Sequence, residues 1–125
     1  MNAYLRRMTR FHKYGAEPVE IDGHRFPSKR EGRRYGELKM LVQAGEITEL
    51  ELQPKYPLGL PDNPILLKSR GYPNGRQAAY FADFKYTDTR TGSEVIEDVK
   101  GMDTPLSRLK RAIVEAQYSV EIVLI

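Results

Sequence analysis

Two runs of aromatic, small and β-branched residues, Gln77–Tyr86 and Val95–Gly101, flank Thr87-Asp88-Thr89-Arg90-Thr91-Gly92-Ser93. The pattern predicts two strands joined as a β-hairpin. Upstream, Asp22-Gly23 sits between Val19-Glu20-Ile21 and His24-Arg25-Phe26, the signal of a tight two-stranded ribbon. Ser28 followed by Glu31 fits a capping box that opens a helix to about Ala44, with Gly45 as its stop. Glu31, Tyr35, Leu38 and Val42 recur at helical spacing and define the expected inward stripe. Ile47 to Gln53 sets Leu50 and Leu52 against Glu49, Glu51 and Gln53 and predicts the first core strand, interrupted by Pro54. Residues 57–76 carry Pro57, Pro61, Pro64, Pro73, Gly59, Gly71 and Gly75, which predicts a loop with a short strand at most at Ile65-Leu66-Leu67. Asp103 or Thr104 can cap a second helix with Pro105 at its first position, and Leu106, Leu109, Ile113 and Ala116 form its expected buried stripe. Val120–Ile125 reads as a closing strand covered on both faces.

The central hairpin carries the chemistry. If Thr87 faces Glu94 across the turn, the antiparallel register sets Asp83 directly opposite Asp98. Like charges facing across strands cost about 0.2–1 kcal/mol, and more where water is excluded, so the pair calls for a cation. Lys100 projects from the same face because side chains alternate along a strand, whereas Glu97 and Val99 point away. Two aspartates and a lysine on one face suit a divalent metal held by hard oxygens, with an ammonium to position a water or a phosphate oxygen. A bulge that shifted the register would put Glu97 in the place of Asp98.

At 125 residues the chain has the length of a single domain, and 30% charged with 40% hydrophobic residues is a globular composition. The absence of cysteine excludes disulfides and thiolate zinc sites and agrees with a reducing compartment. No segment is apolar enough to span a bilayer, and Met1–Arg7 lacks the apolar core of a signal peptide, so a cytoplasmic protein without a membrane partner is expected. The net charge of +3 says little in total. Its placement says more, for Arg6, Arg7, Arg10 and Lys13 precede the first acidic residue and alternate with Tyr4, Phe11, His12 and Tyr14. This basic arm, about residues 1–14, is either a nucleic-acid contact or a solvated terminus. His12 and His24 have no ligand-spaced partner and read as ordinary surface histidines.

Asp83 followed by Asp98-Val99-Lys100 resembles the PD-(D/E)XK motif of restriction-endonuclease-like nucleases. Phe26-Pro27-Ser28-Lys29-Arg30-Glu31 and Glu51-Leu52-Gln53-Pro54-Lys55 are also similar to a family of small phage and prophage proteins assigned to that superfamily and akin to Holliday junction resolvases. The likeness runs from about Tyr14 to the C-terminus. It implies an α/β fold with a restriction-endonuclease-like core over residues 1–125: a helix, a three-stranded antiparallel segment, a helix and a strand around a mixed sheet.

The same resemblance implies Mg²⁺, with Mn²⁺ as a substitute, bound by Asp83, Asp98, the Val99 carbonyl and Glu31, and Lys100 as the group that orients or deprotonates the attacking water. Glu31 has a second reading as a helix cap and dipole partner, and the two roles are compatible. Gln53 either lines the site or is a polar strand end. Lys55 and Lys110 are the implied substrate contacts, with Arg6, Arg7 and Arg10 in the arm. Ala82 stands where the motif has proline, and the second carboxylate is the shorter Asp98.

The function so implied is metal-dependent hydrolysis of DNA phosphodiester bonds, leaving 5′-phosphate and 3′-hydroxyl ends. It would act on branched DNA in phage replication or recombination, inside the bacterial host. A homodimer would bring two such sites to a junction. The alternative is a non-catalytic nucleic-acid-binding or replication-accessory module on the same fold, in which Asp98 and Lys100 are a surface ion pair. A structural assembly protein explains the basic arm less well. Phosphate-cradling glycine motifs, Gly-X-Ser-X-Gly elbows and His-Glu-X-X-His zinc helices are absent.

Overall fold

The structure is a computed structural model and describes residues 17–125. The expected arm with Arg6, Arg7 and Arg10 lies outside the described residues. The chain is mixed α/β, with two helices among the described residues, and divides into two compact units between Thr48 and Glu49. No described helix is long and apolar enough to cross a membrane.

In the first unit, β1 (Val19–Ile21) and β2 (His24–Phe26) pair antiparallel with Val19 opposite Phe26 and Ile21 opposite His24. Asp22 and Gly23 both have positive φ, 54° and 77°, as the twist of a two-residue hairpin turn requires. Helix α1 (Lys29–Gln43) starts where Ser28 Oγ accepts from the Glu31 N–H at 3.1 Å, and stops at Gly45, whose φ of 75° ends the helical path. The Asp22 carboxylate takes hydrogen bonds from Tyr35 and Lys39, so the turn of the ribbon is tied to the helix. Phe26 and Tyr35 stack with ring centroids 4.9 Å apart, and His24 meets the Tyr35 ring at 5.9 Å.

Val42 is exposed, against expectation, and Gly32 joins Glu31, Tyr35 and Leu38 on the buried side. The reason is the close approach of the ribbon: a Cβ at Gly32 would lie 2.6 Å from Val19 Cγ2 and 3.1 Å from Ile21 Cδ1. Gly32→Val gains a few tenths of a kcal/mol in helix propensity, yet overpacking of this kind costs about 1–3 kcal/mol. The expected net result is a lower urea midpoint than wild type, and an unchanged or raised midpoint would show that the ribbon yields freely.

The second unit begins within β3 (Ile47–Leu52). It continues through β4 (Lys55–Pro57), β5 (Gly59–Leu60), β6 (Asn63–Pro64), β7 (Leu66–Ser69), β8 (Tyr72–Gln77), β9 (Ala79–Phe81), β10 (Phe84–Asp88) and β11 (Glu94–Asp98). Helix α2 (Pro105–Tyr118) and β12 (Ile122–Leu124) complete it. The main sheet has the order β12-β11-β10-β3 and is mixed: β10 and β11 run antiparallel, while β12, reached through α2, lies parallel to β11. Its core side packs Leu58, Ala78, Tyr80, Ala82, Ile96, Val114 and Ile122.

Four expectations change in this unit. The single strand predicted from Gln77 to Tyr86 is divided among β8, β9 and β10, because the chain changes partner at Ala82 and Asp83. β9 pairs with β4, the Ala82 N–H still donates to the Pro54 carbonyl at 3.1 Å, and the next N–H, of Asp83, donates to the Glu97 carbonyl at 3.0 Å. The loop predicted for residues 57–76 instead forms two hairpins, β5–β6 and β7–β8. Proline and glycine are tolerated there because a two-stranded ribbon has outward N–H positions that need no partner.

Helix α2 has the predicted start, with Thr104 Oγ1 accepting from the Ser107 N–H at 3.1 Å and Pro105 in its first turn, but only part of the predicted stripe, since Ile113 packs on the core and the two leucines do not. Leu106 and Leu109 are 60% and 59% exposed, while Arg111 and Val114 are buried. Polar anchors set this rotation. Arg111 forks onto Asp103 at 2.7 and 3.0 Å, and the Gln117 amide accepts from the Gly59 N–H at 2.9 Å and donates to the Gly59 carbonyl at 2.7 Å. β12 is likewise not covered on both faces: it is the outer strand beside β11, with Ile122 in the core and Val123 and Leu124 exposed.

Candidate functional site

The β10–β11 register pairs Phe84 with Glu97 and Thr87 with Glu94 without a shift. Continued one residue past the strand start, it sets Asp83 across from Asp98. The two carboxyl groups are close enough to raise one another's cost of ionisation, and each residue is 1% exposed. Asp83 is held from three sides. Its carbonyl accepts from the Gln53 N–H at 3.0 Å, its own N–H meets Glu97, and its Oδ2 accepts from the Val99 N–H at 2.8 Å. Asp98 Oδ2 accepts from the Tyr80 hydroxyl and from Lys100 Nζ at 3.2 Å, and the Asp98 carbonyl takes the Ile125 N–H at 3.0 Å. Lys100 Nζ also reaches Ser107 Oγ of α2 at 3.4 Å.

Burial is the main cause that pushes the Asp98 carboxyl up to about 7, and the neighbouring Asp83 adds to it; Lys100 and Tyr80 oppose the rise. The Tyr80 hydroxyl is raised as well, chiefly by burial and then by Asp98. Near neutrality the Asp98 carboxyl is therefore only partly ionised, and a proton on it relieves the crowding of two buried carboxyl groups beside Lys100.

Among the described residues, no group of three or more His, Asp or Glu side chains is arranged to hold a metal ion. The carboxylates brought together are Asp83 and Asp98. Two hard oxygen donors with a surplus of negative charge do fit Mg²⁺, which is commonly held by one or two carboxylates and keeps several waters. In this site a proton on Asp98 and a divalent ion would serve the same electrostatic need.

The remaining candidates fall as follows. Glu31 is buried in the first unit at the start of α1, with its N–H on Ser28. Gln53 is half-buried with φ 55°, and its backbone N–H is what bonds Asp83. Lys55 is exposed across from Phe81, its ammonium 6.0 Å from that ring centroid. Lys110 is half-buried on α2. Glu97 is on the opposite face from Asp98 and accepts from the Tyr86 hydroxyl, so the unshifted register leaves Asp98 as the partner of Asp83.

Sequence reasoning missed Tyr80, Arg111 and Asp103. Tyr80 is three residues before Asp83, an odd spacing that alternation assigns to the other face; the partner change at Ala82 breaks that alternation and lets its hydroxyl reach Asp98. Arg111, next to the expected Lys110, is a buried cation, held by Asp103 and raised chiefly by that hydrogen bond. It also contributes positive potential at Tyr80 and senses the charge of Asp98. An arginine between apolar positions of a helix, eight residues from an aspartate just before the cap, was the available signal.

Fold and site together define a mixed α/β protein with a buried aspartate pair and a lysine on one sheet face. The chain belongs to the DUF1064 family, described as a protein of unknown function, over residues 11–124. No curated protein and no solved structure matches it.

Proposed function

We propose that the protein is a metal-dependent DNA endonuclease of the PD-(D/E)XK kind. The single observation that carries this reading is the buried Asp83–Asp98 pair with Lys100 Nζ 3.2 Å from Asp98. Such a pair costs stability unless a cation compensates it, and buried carboxyl groups that perturb one another cluster at functional sites. The order α1, β3, β10, β11, α2, β12, with β12 parallel to β11, supports a restriction-endonuclease-like core.

Asp83 and Asp98 would hold Mg²⁺ or Mn²⁺, with the Val99 carbonyl as the further ligand that the resemblance implies. The bound ion would lower the pKa of a coordinated water and neutralise charge on the scissile phosphate. Val99 N–H and Tyr80 fix the directions of the two carboxylates, each through one oxygen. Lys100, held between Asp98 and Ser107, would orient the attacking water or hold a proton beside it.

The test is incubation of the full chain with labelled linear duplex, single strand, flap, fork and four-way junction, in Mg²⁺, Mn²⁺ or EDTA. Metal-dependent cutting is the expected result, and the preferred substrate distinguishes a junction resolvase from a less selective nuclease. Glu31→Gln on the same panel tests the role that the resemblance gives Glu31. Binding of every substrate without cutting, unaffected by metal, would instead favour the accessory module.

A further inference from the structure

The hairpin of β7 and β8 leaves every one of its residues exposed except Gly75, which is half-buried. Both of its faces are open, and an isolated two-stranded ribbon is marginal in water without something to cover it. Its base is anchored by backbone hydrogen bonds from Ile65 N–H to the Leu58 carbonyl and from Ala78 N–H to the Ile65 carbonyl, 3.1 and 2.9 Å long. Gly75 lets the two strands close, since a Cβ there would lie 2.7 Å from Leu66 Cβ.

The charge on this ribbon has one sign. Between Asp62 and Asp83 the chain has no carboxylate, and it carries Lys68, Arg70 and Arg76. Lys68 is on β7, Arg70 is at the tip beside Gly71, and Arg76 lies over the Tyr72 ring at 5.0 Å from its centroid. A basic surface with Ser69, Asn74 and Gln77 exposed among the cations matches a polyanion that also offers donors and acceptors. A second copy of this chain would bring the same positive charges and be repelled.

We infer that the β7–β8 ribbon is a docking arm for duplex nucleic acid, with Lys68, Arg70 and Arg76 on phosphates and the ribbon in the major groove. That groove is about 12 Å wide and admits a two-stranded β-ribbon. The assignment shares the nucleic-acid partner of the endonuclease reading but none of its chemistry. It is therefore tested in EDTA, where cutting is off, so a chain that binds through the ribbon and never cuts would refute the nuclease reading alone.

The experiment is fluorescence anisotropy of a labelled duplex titrated with the full chain over a range of salt. The Lys68→Ala/Arg70→Ala/Arg76→Ala variant is compared with Arg25→Ala/Lys29→Ala/Arg90→Ala, which removes the same charge from exposed positions elsewhere. The ribbon variant should lose more than about tenfold in affinity at low salt, and its slope of log K against log salt should flatten by about 2.7, or 0.9 for each of three lost phosphate contacts. The control should keep the wild-type slope, and a single strand of the same sequence should bind more weakly than the duplex.

Failure of the wild type to bind duplex in EDTA, equal losses in both variants, or equal binding of single strand would each overturn the assignment. So would duplex affinity unchanged in the ribbon variant while Leu66→Ser/Leu67→Ser turns a dimer into a monomer by sedimentation, for that would make the arm an interface between copies. Circular dichroism and unfolding midpoints equal to wild type are expected for the ribbon variant, because the three side chains are exposed.

Discussion

Asp98→Asn should lower metal-dependent cleavage of the preferred DNA by about a thousandfold, the scale expected when a few kcal/mol of transition-state stabilisation by an ion is lost. The substitution keeps the shape of the site: an amide oxygen still accepts from Tyr80, and the amide NH₂ faces Asp83 where a protonated carboxyl would. What it removes is the second negative charge and the counter-charge of Lys100. Duplex affinity in EDTA should stay at the wild-type value, which separates this effect from unfolding and from the ribbon. Cleavage in Asp98→Asn within a few-fold of wild type would refute the assignment of Asp98, and loss of affinity along with cleavage would make it a structural residue.

The second large effect is on stability as a function of pH, in EDTA. The Asp98 carboxyl stands at about 7 in the folded chain against an ordinary value near 3.8, so the folded state binds the extra proton over that interval. The contribution is therefore fully present below pH 3.8 and is lost as pH rises through 7. From the shift it amounts to roughly 4 kcal/mol between these limits, or an order of 10 °C in Tm.

Wild type should thus unfold at a lower temperature at pH 8 than at pH 5.5, and Asp98→Asn should show little of this fall and exceed wild type at pH 8. Adding Mg²⁺ or Mn²⁺ at pH 8 should recover the loss in wild type, since an ion that binds only the folded state stabilises it, and should do nothing for Asp98→Asn. Equal pH profiles for the two proteins would show that the aspartates do not compete for a proton. A matching profile difference without recovery by the metals would keep the buried pair and discard the metal.

Much of this was legible along the chain wherever a feature is set by neighbours in sequence. The Asp22-Gly23 ribbon, the Ser28 and Thr104 caps and the stop at Gly45 each follow from the backbone needs of a few consecutive residues. The opposition of Asp83 and Asp98 followed from the Thr87–Glu94 register, because an antiparallel pair fixes every later partner once the turn is set. The same alternation correctly put Lys100 beside Asp98 and Glu97 on the other face.

Tertiary structure decided what no local period encodes. At Ala82 the chain leaves β4 for β11, and this exchange divides one apparent strand and brings Tyr80 to Asp98. Leu106 and Leu109 continue a helical period shared with Ile113, yet α2 packs Ile113 and Val114 on the core and leaves the two leucines out, a rotation that goes with the long-range Gln117–Gly59 hydrogen bonds and the short-range Asp103–Arg111 fork. Those anchors turned Arg111 inward and left two leucines in water. The sequence alone thus determined the register, the caps and the aspartate pair, which depend on contacts a few residues apart or on a single turn. The seating of Gln117 against Gly59, the change of partner at Ala82 and the hydrogen bonds that tune the pair join polar groups far apart in the chain, whose desolvation is compensated only when the fold brings them together.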